Sequence, residues 1–470
     1  MNLFFKLRQE AKDFSPWFKA AVAFLALVYL GFWFFTIHLS FIEKERGFEP
    51  VLPAASKDSH EYVLFAESLL SGNGLSMNGR IETLRTPGYP VFVALIKTVG
   101  RSYFAVTLIQ IILVFASALI IRRIGILFSS TRVGEIAAIL LLINPVTITL
   151  SLLILTDTLF LFLFVLGFYL AASMGRENKS GRNFLRVCVI SALFISAIYV
   201  RGMGLFALPV FIAPFLAGGF HFKVKMKSIG IMLILIAVCV SPWMVRNYVR
   251  TGVISFNSFE SVNMSWVIPK FLSVMNGTEE DAEALAFQRA TGVPAEAWQD
   301  FGWHDIRYSK QISRVGRKII LEHPFSYLKF HIITSVPFLF PSSILFARDA
   351  YDGALQINRP FKYGSINALS RGDFGAFYRG IKEDWWKLVE RLGWLAGLLL
   401  GLLSIWKKRR DPLASVFLFI PAYLMLLSGP AAGPRLSFQA WPFMFILFVS
   451  GGLYLVEILK NFFRKKKEIA

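Results

Sequence analysis

Cysteine and charge are both scarce in this chain of 470 residues. Its two cysteines, Cys188 and Cys239, each sit inside an apolar run, which excludes a scaffold held together by disulfides. Charged residues make up 17%, against about 25% in a typical soluble domain, and hydrophobic residues other than Gly make up 55%. A soluble fold would have to expose much of that apolar surface to water, so an ordinary soluble enzyme, a disordered chain and a coiled coil are excluded. A polytopic, all-α membrane protein remains.

Acidic residues are also few, 30 against 50 basic ones, which gives a net charge of +20. The basic residues form short clusters between apolar runs rather than one soluble face. They lie at Lys6, Arg8, Lys12; Arg122, Arg123, Arg132; Arg176, Lys179, Arg182, Arg186; Lys223, Lys225, Lys227; Lys407, Lys408, Arg409, Arg410; and Arg464, Lys465, Lys466, Lys467. Such clusters mark the cytoplasmic loops of membrane proteins. They favour membrane topology as the cause of the charge and argue against a nucleic-acid partner.

Ten apolar runs are long enough to cross a bilayer, which takes on the order of 17–25 residues. They fall at 17–39, 102–121, 133–151, 154–173, 184–200, 203–219, 226–245, 388–405, 412–429 and 439–459. The first run is too long and too aromatic for a signal peptide and no small-residue cleavage site follows it, so we expect it to stay in the membrane. With the N-terminus in the cytoplasm, the basic clusters and the C-terminus also fall on the cytoplasmic side.

A further apolar run at 326–346 is interrupted by Pro337 and Pro341. If it crossed the membrane, the later basic clusters would lie outside, so we predict an interfacial or re-entrant segment here and ten crossings, with eleven as the alternative. The chain then divides into three parts. They are a transmembrane module at 1–245 with a first outer loop at 40–101, a long outer loop at 246–387 with the re-entrant segment, and the C-terminal helices with a basic tail at 388–470.

The first outer loop carries two apolar segments too short to span, 58–71 and 88–100, which we expect to lie as helices on the outer membrane surface. Asp58 begins the first of them and Glu61 follows three residues later, a spacing typical of a capping box. The same carboxylate, held at a helix end beside the membrane, could also serve as a general base. Arg85 lies between the two helices, where it could snorkel to lipid head groups or bind a phosphate.

Six motifs in this order resemble those of the GT-C glycosyltransferases, above all the bacterial group that includes protein O-mannosyltransferase relatives and lipid A aminoarabinose transferases. The first outer loop reads D-x-x-x-Y-x-x-x-A-x-x-L-L-x-G-x-G from Asp58 and R-x-P-G-Y-P from Arg85. The others are N-P at 144–145 with L-T-D-T-L-F at 155–160, Y-V-R-G at 199–202, S-P-W-M-V-R-N-Y at 241–248, E-H-P-F-S-Y-L at 322–328, and G-P-R-L-S-F-Q-A-W-P at 433–442. The stretch around 265–320 is unmatched, and Asp157 stands where the family often has Glu.

The resemblance implies an enzyme that takes a sugar from a polyprenyl phosphate on the outer face of the membrane, in a single inverting displacement. Asp58 is then the expected base, and Asp157 a second carboxylate that orients the acceptor or a metal, or else caps the next helix. Donor phosphate contacts are expected from three basic residues on the predicted outer side, which the positive-inside trend does not explain: Arg85, Arg246 and Arg435. Further donor or acceptor contacts are expected from Glu61, Tyr62, Tyr89 and Arg201, although Arg201 could equally be a snorkelling anchor.

The sequence establishes no cofactor. His60 and Glu61 could ligate a divalent cation, but their spacing is not that of a tight metal site. P-loops and dinucleotide fingerprints are absent, which suits a donor activated by lipid rather than by nucleotide.

The expected partners are therefore a polyprenyl-phosphate sugar, a glycan, lipid or protein acceptor, and the bilayer, in a bacterial inner membrane. The alternatives are a flippase or transporter of lipid-linked sugars, and a ligase or polymerase of whole glycans with the same architecture. The predicted spans are nearly free of charge, which favours chemistry at the surface over transport.

The predicted sidedness can be measured with single cysteines in a background without Cys188 and Cys239. A membrane-impermeant maleimide added to intact cells should label Asn73→Cys, in the first outer loop, and spare Arg409→Cys, in a predicted cytoplasmic cluster. Labelling of Arg409→Cys alone would place the first loop in the cytoplasm and contradict the topology.

Overall fold

The computed structural model describes residues 13–45, 57–77, 80–174, 183–218, 221–299, 304–354, 373–375, 378–379, 385–431 and 433–469. The basic residues predicted to be cytoplasmic at 6–12 and 176–182 lie outside these ranges.

The fold is almost entirely helical. The helices of the N-terminal half are α1 Pro16–Glu45, α2 Lys57–Leu70, α3 Gly88–Gly100, α4 Tyr103–Phe128, α5 Thr131–Ile143, α6 Pro145–Leu152, α7 Asp157–Met174, α8 Asn183–Val200, α9 Leu208–Ala217 and α10 Phe222–Thr251. Those of the C-terminal half are α11 Phe259–Asn276, α12 Glu280–Thr291, α13 Ala295–Gln299, α14 Ile306–Glu322, α15 Pro324–Leu339, α16 Ser343–Ala354, α17 Trp385–Lys407, α18 Pro412–Ser428, α19 Pro434–Ser437 and α20 Trp441–Ile469. Short 3₁₀ turns lie at Gly202–Ala207 and Gly429–Ala431, and β1 Ser76–Met77 pairs antiparallel with β2 Arg80–Ile81.

Seven helices in the described ranges are long and apolar enough to cross a membrane, and up to nine if each of two bent pairs counts as one span. The seven are α1, α4, α7, α10, α17, α18 and α20, and each matches a predicted run. The run at 133–151 forms the bent pair α5 and α6, whereas the runs at 184–200 and 203–219 form shorter apolar helices. The prediction of an all-α polytopic membrane protein is confirmed, and the exact count of ten or eleven crossings is not.

At each bent pair a carboxylate or amide oxygen accepts from a backbone amide at the start of the second helix. Helices α5 and α6 meet at 59°, where the Asn144 side chain accepts from the Val146 amide at 2.9 Å and Pro145 opens α6. Helices α15 and α16 meet at 83° inside the run 326–346, and the Glu390 carboxylate of α17 accepts from the Ser343 amide at 2.6 Å. The segment therefore bends by about a right angle instead of forming one straight helix.

The described part of the chain has two hydrophobic cores. The larger one lies among the apolar helices and contains an aromatic ladder in which Phe168 packs edge-on against Phe443 at 4.7 Å between ring centroids. The smaller core lies among α11, α12 and α14, and we call these helices with α13 the outer helical unit, residues 259–322. Its buried residues are Leu84, Val262, Ile268, Phe287, Val293 and Ile312. Leu84 belongs to the first outer loop, so this loop is fixed between the two cores.

In the described part of the first outer loop the two predicted helices form, and their expected position on the membrane surface stays a prediction. Helix α2 ends at Leu70, and Gly72 and Gly74 follow with φ of 77° and 67°, in the left-handed region that glycine adopts without strain. Gly88 opens α3 against the backbone of Tyr199, and a Cβ at Gly88 would lie 2.6 Å from the Tyr199 carbonyl carbon. The T-P-G-Y-P motif is thereby packed directly against the Y-V-R-G motif.

Candidate active site

Asp58 lies in the first turn of α2, and both of its carboxylate oxygens are bound by arginines from distant parts of the chain. Arg85 Nη2 donates to Asp58 Oδ1 at 2.6 Å. Arg435 Nη1, presented by the short helix α19, donates to Asp58 Oδ2. The structure thus brings Asp58, Arg85 and Arg435 together through direct ion pairs.

Glu61, one turn further along α2, also pairs with Arg85, whose Nε and Nη2 lie 3.2 and 2.8 Å from Glu61 Oε2. Glu61 therefore faces the arginine rather than closing a capping box at the helix start. The Tyr62 ring lies 5.2 Å from the Arg85 guanidinium carbon, and Tyr62 packs edge-on against Tyr89 at 4.9 Å. These contacts fix the guanidinium plane of Arg85 beside Asp58.

Asp157 opens α7 and is bound by two further guanidinium contacts. Arg201 Nη1 donates to Asp157 Oδ1, and Arg435 Nε donates to Asp157 Oδ2 at 2.8 Å. Gln439 also lies at this end. In the amide orientation that satisfies both of its polar atoms, its oxygen accepts from Arg201 Nη1 at 3.0 Å and its nitrogen donates to the Leu436 carbonyl at 2.9 Å. Arg201 is thus held by a buried carboxylate instead of reaching into head groups.

These contacts form one continuous network of three carboxylates and three guanidinium groups. In order, its members are Glu61, Arg85, Asp58, Arg435, Asp157 and Arg201. The charges cancel formally, which lowers the cost of taking them out of water. The two aspartates differ in access: the Asp58 side chain keeps 30% of its surface exposed, whereas that of Asp157 keeps 0%. Solvent can therefore reach Asp58 but not Asp157.

The arginines set the protonation of Asp58. Burial by itself raises the pKa of the Asp58 carboxyl, but the charges and hydrogen bonds of Arg85 and Arg435 outweigh it and hold that pKa well below its usual range. The ionised carboxylate therefore stabilises the fold fully above the unfolded pKa of about 3.9, and this contribution is lost only as pH falls through the lower folded pKa. Asp58 is charged throughout the physiological pH range.

The backbone that carries Arg85 is held by Glu82. The Glu82 carboxylate accepts from the Leu84 and Arg85 amides, the latter at 2.6 Å. Burial raises the pKa of the Glu82 carboxyl above its usual value, against the opposing effect of these hydrogen bonds and of the Arg85 charge.

Arg246 lies apart from the ion-pair network, although the sequence groups it with the phosphate-binding arginines. Arg246 Nη1 donates to the Glu82 carbonyl at 2.9 Å and to Asn247 Oδ1 at 2.8 Å, and its guanidinium carbon lies 4.5 Å from the Trp243 ring centroid. In this arrangement Arg246 fixes the loop that presents Arg85, and its predicted phosphate contact stays a prediction.

The outer helical unit is tied to the same loop. The Ser258 amide donates to the Thr83 carbonyl at 3.1 Å, and the Ile306 amide donates to Thr83 Oγ1 at 3.0 Å. Leu84 is buried in the core of this unit, and the next residue, Arg85, enters the ion-pair network. The position of Arg85 is therefore coupled to that of the outer helical unit.

The candidate divalent-cation ligands are His60 and Glu61. No group of three His, Cys, Asp or Glu side chains that could hold a metal is found in the part of the chain that the structure describes. Asp58 and Glu61 face guanidinium groups, and His60 points to solvent. Cation binding by His60 and Glu61 stays a prediction, and no chemical step is derived through a metal.

Three polar residues of the site were not singled out from the sequence. Gln439 lies one helical turn after Arg435 in the late R-L-S-F-Q motif, a spacing that places both on one side. Glu82 lies three residues before Arg85, a spacing that suits a carboxylate bound to loop amides. Gln110, which accepts from the Tyr89 hydroxyl at 2.5 Å, lies inside an apolar run, where an isolated amide must be hydrogen-bonded.

No protein-family model matches this chain, and no curated protein matches it. Among solved structures, the archaeal oligosaccharyltransferase AglB from Archaeoglobus fulgidus, in complex with an inhibitory peptide and a dolichol-phosphate, is 14% identical with a TM-score of 0.50 over 97% of this chain. The match covers 52% of the AglB chain, so this chain spans about half the length of that protein. ArnT from Cupriavidus metallidurans, bound to undecaprenyl phosphate, is 12% identical with a TM-score of 0.41, over 92% of this chain and 76% of ArnT.

At 14% identity the similarity to AglB concerns the fold alone, and this chain has a fold like that of AglB. This likeness of fold supports the resemblance that the motifs indicate.

The unequal burial of the two aspartates predicts unequal effects on stability. Asp157→Asn leaves two guanidinium groups facing a neutral amide in a sealed site and should lower the free energy of unfolding by about 3–5 kcal/mol. Asp58→Asn should cost less, because water can reach the released arginines. The measurement is thermal or denaturant unfolding of the purified protein in detergent.

Asp281→Asn, on the exposed start of α12, is the matched control and should stay within about 0.5 kcal/mol of wild type. Wild-type stability of Asp157→Asn would contradict the buried position of this carboxylate.

Proposed function

We propose that this protein is an inverting glycosyltransferase that moves a sugar from a polyprenyl-phosphate donor to an acceptor hydroxyl at the outer, periplasmic face of a bacterial inner membrane. The observation that carries the proposal is the partly exposed Asp58 carboxylate between the guanidinium groups of Arg85 and Arg435. A base and two cations lie within a few ångströms of each other, as displacement of a phosphate by a hydroxyl requires. The dolichol-phosphate held by AglB, a protein of the same fold, supports a lipid phosphate as the donor.

The arginines supply charge for the leaving group. As the bond between the anomeric carbon and the phosphate oxygen breaks, negative charge grows on the phosphate, and Arg85 and Arg435 can donate to it. Each guanidinium has five N–H donors, so it can keep a carboxylate partner while it binds phosphate. Mutations of such positioned donors commonly cost about 3–4 kcal/mol of transition-state stabilisation.

Asp58 accepts the proton. The acceptor oxygen attacks the anomeric carbon on the face opposite the phosphate, its proton passes to a carboxylate oxygen of Asp58, and the phosphate leaves with the bonding electron pair. The low pKa of Asp58 makes it a weak base while both arginines bind it. A donor phosphate that shares those arginines reduces their pull on Asp58 and raises its basicity, so the base becomes effective when the donor is present.

Asp157 positions Arg435 and takes no part in the chemical step. It is sealed from solvent and binds Arg201 and Arg435, so it holds Arg435 in the orientation that reaches Asp58. The network also lies at helix ends and in loops rather than in the middle of spans: Asp58 opens α2, Asp157 opens α7, and Arg201 follows α8. This placement supports surface chemistry over a transport pathway through the bilayer.

The proposal predicts that Asp58→Asn abolishes transfer while the protein remains folded. Membranes containing the variant, supplied with radiolabelled polyprenyl-phosphate sugars, should incorporate label about 100- to 10,000-fold more slowly than wild type, because the amide cannot accept the proton. Asp281→Asn is the matched control for the same chemical change on an exposed helix and should retain wild-type turnover. Full turnover by Asp58→Asn would remove this residue from the mechanism.

A further inference from the structure

We propose that the basic face of α14 lies on the bilayer and binds the head groups of anionic phospholipids. This face is made by five exposed cations of one helix, Arg307, Lys310, Arg314, Arg317 and Lys318. It takes no part in the ion-pair network, and the proposal does not depend on the proposed function.

The five cations share one side of the helix, because the first four are spaced three or four positions from one another and Lys318 directly follows Arg317. The opposite side is buried in the outer helical unit: Ile306 and Ile312 are enclosed, and a Cβ at Gly316 would lie 2.8 Å from the sulfur of Met264. Helix α14 is about 25 Å long, so its free side is a continuous basic strip.

Nearby carboxylates neutralise only part of this strip. Asp305 binds Arg307 at 2.6 Å, Glu260 of α11 binds Arg317 at 2.6 Å, and Glu322 lies 3.7 Å from Lys318. The pairs of Glu260 and Glu322 are solvent-exposed, so these two carboxylates are weak competitors for a phosphate. Asp305 is mostly buried and holds Arg307 through two donors. Lys310 and Arg314 add two positive charges that these three carboxylates do not offset.

At its C-terminal end the strip adjoins large apolar side chains that are exposed. Leu321 and Phe325 have 78% and 85% of their surfaces exposed, and Leu328 is also exposed. They lead directly into α15, the first helix of the bent apolar pair. Large exposed side chains beside a membrane-inserting helix are stabilised by burial among acyl chains, with the adjacent cations at the level of the head groups.

Because the basic strip adjoins exposed apolar side chains, we favour a lipid leaflet over a soluble polyanion as the binding partner. An anionic polymer could neutralise the strip but would leave Leu321 and Phe325 in water. A leaflet with anionic phospholipid covers both, and each Lys or Arg near such a surface favours binding by about 1 kcal/mol, which is a factor of about five.

The test uses the full chain in phosphatidylcholine–phosphatidylglycerol nanodiscs, with Cys188 and Cys239 replaced by Ala. A fluorophore at Gln311→Cys, beside the strip, reports quenching by trace lipids that carry a nitroxide on the head group, of either phosphatidylglycerol or phosphatidylcholine. A fluorophore at Ala282→Cys, among the acidic residues at the start of α12, is the control position.

At Gln311→Cys the phosphatidylglycerol probe should quench several-fold more than the phosphatidylcholine probe, and this ratio should fall as salt is raised. Lys310→Glu should lower the ratio to about one. Arg289→Glu, the same charge reversal on exposed α12, should leave the ratio unchanged, and the two probes should quench equally at Ala282→Cys.

Equal quenching at Gln311→Cys, or an unchanged ratio in Lys310→Glu, would overturn the proposal. The proposal would also be overturned if neither lipid probe quenched the fluorophore at Gln311→Cys and a soluble anionic polysaccharide shifted its emission. That result would favour a soluble polymer as the partner.

Discussion

The pairing of Asp58 with Arg435 is the interaction on which the site depends. The two residues are 377 positions apart, and their contact brings the first turn of α2 against the short helix α19 between α18 and α20. Arg435 also binds Asp157, so one guanidinium joins the exposed carboxylate to the sealed one. The burial of these charged side chains is tolerated only because each has a partner of opposite charge. Asp58, Arg85 and Arg435 remain partly exposed.

The outer helical unit acts on the same loop from the other side. Leu84 is enclosed in its core and Arg85 reaches Asp58, so neighbouring residues belong to two separately packed regions. The basic strip on α14 extends this arrangement, because α14 begins beside Thr83 and ends at the apolar helix α15. Attachment of α14 to the leaflet would fix the outer helical unit, and through Thr83 and Leu84 the loop that presents Arg85.

Sequence reasoning found the parts of this site that local patterns encode. Hydropathy identified the apolar helices, and the glycines after Leu70 identified the end of α2, since both signals are short-range. Arg85, Arg246 and Arg435 were grouped because their charges stand on the predicted outer side without a topological reason, and Asp58 was singled out as the expected base because it begins the first motif. The role of Arg246 and the contribution of Gln439 depend on side-chain direction across tertiary contacts, which spacing does not determine. The number of crossings also depends on more than local sequence, because two apolar runs are broken into bent helix pairs. The break at Asn144 is capped by Asn144 itself, and the helix that begins at Ser343 is capped by Glu390 of α17.

A double-mutant cycle between Asp58 and Arg435 tests the central claim most directly. Asp58→Asn, Arg435→Gln and the double variant would be compared in the free energy of unfolding of the purified protein. Direct pairing predicts a coupling energy of about 0.5–3 kcal/mol, because the second substitution removes a partner that the first has already released. Additive effects within about 0.3–0.5 kcal/mol would mean that the two side chains do not meet, and the account of the site would be wrong.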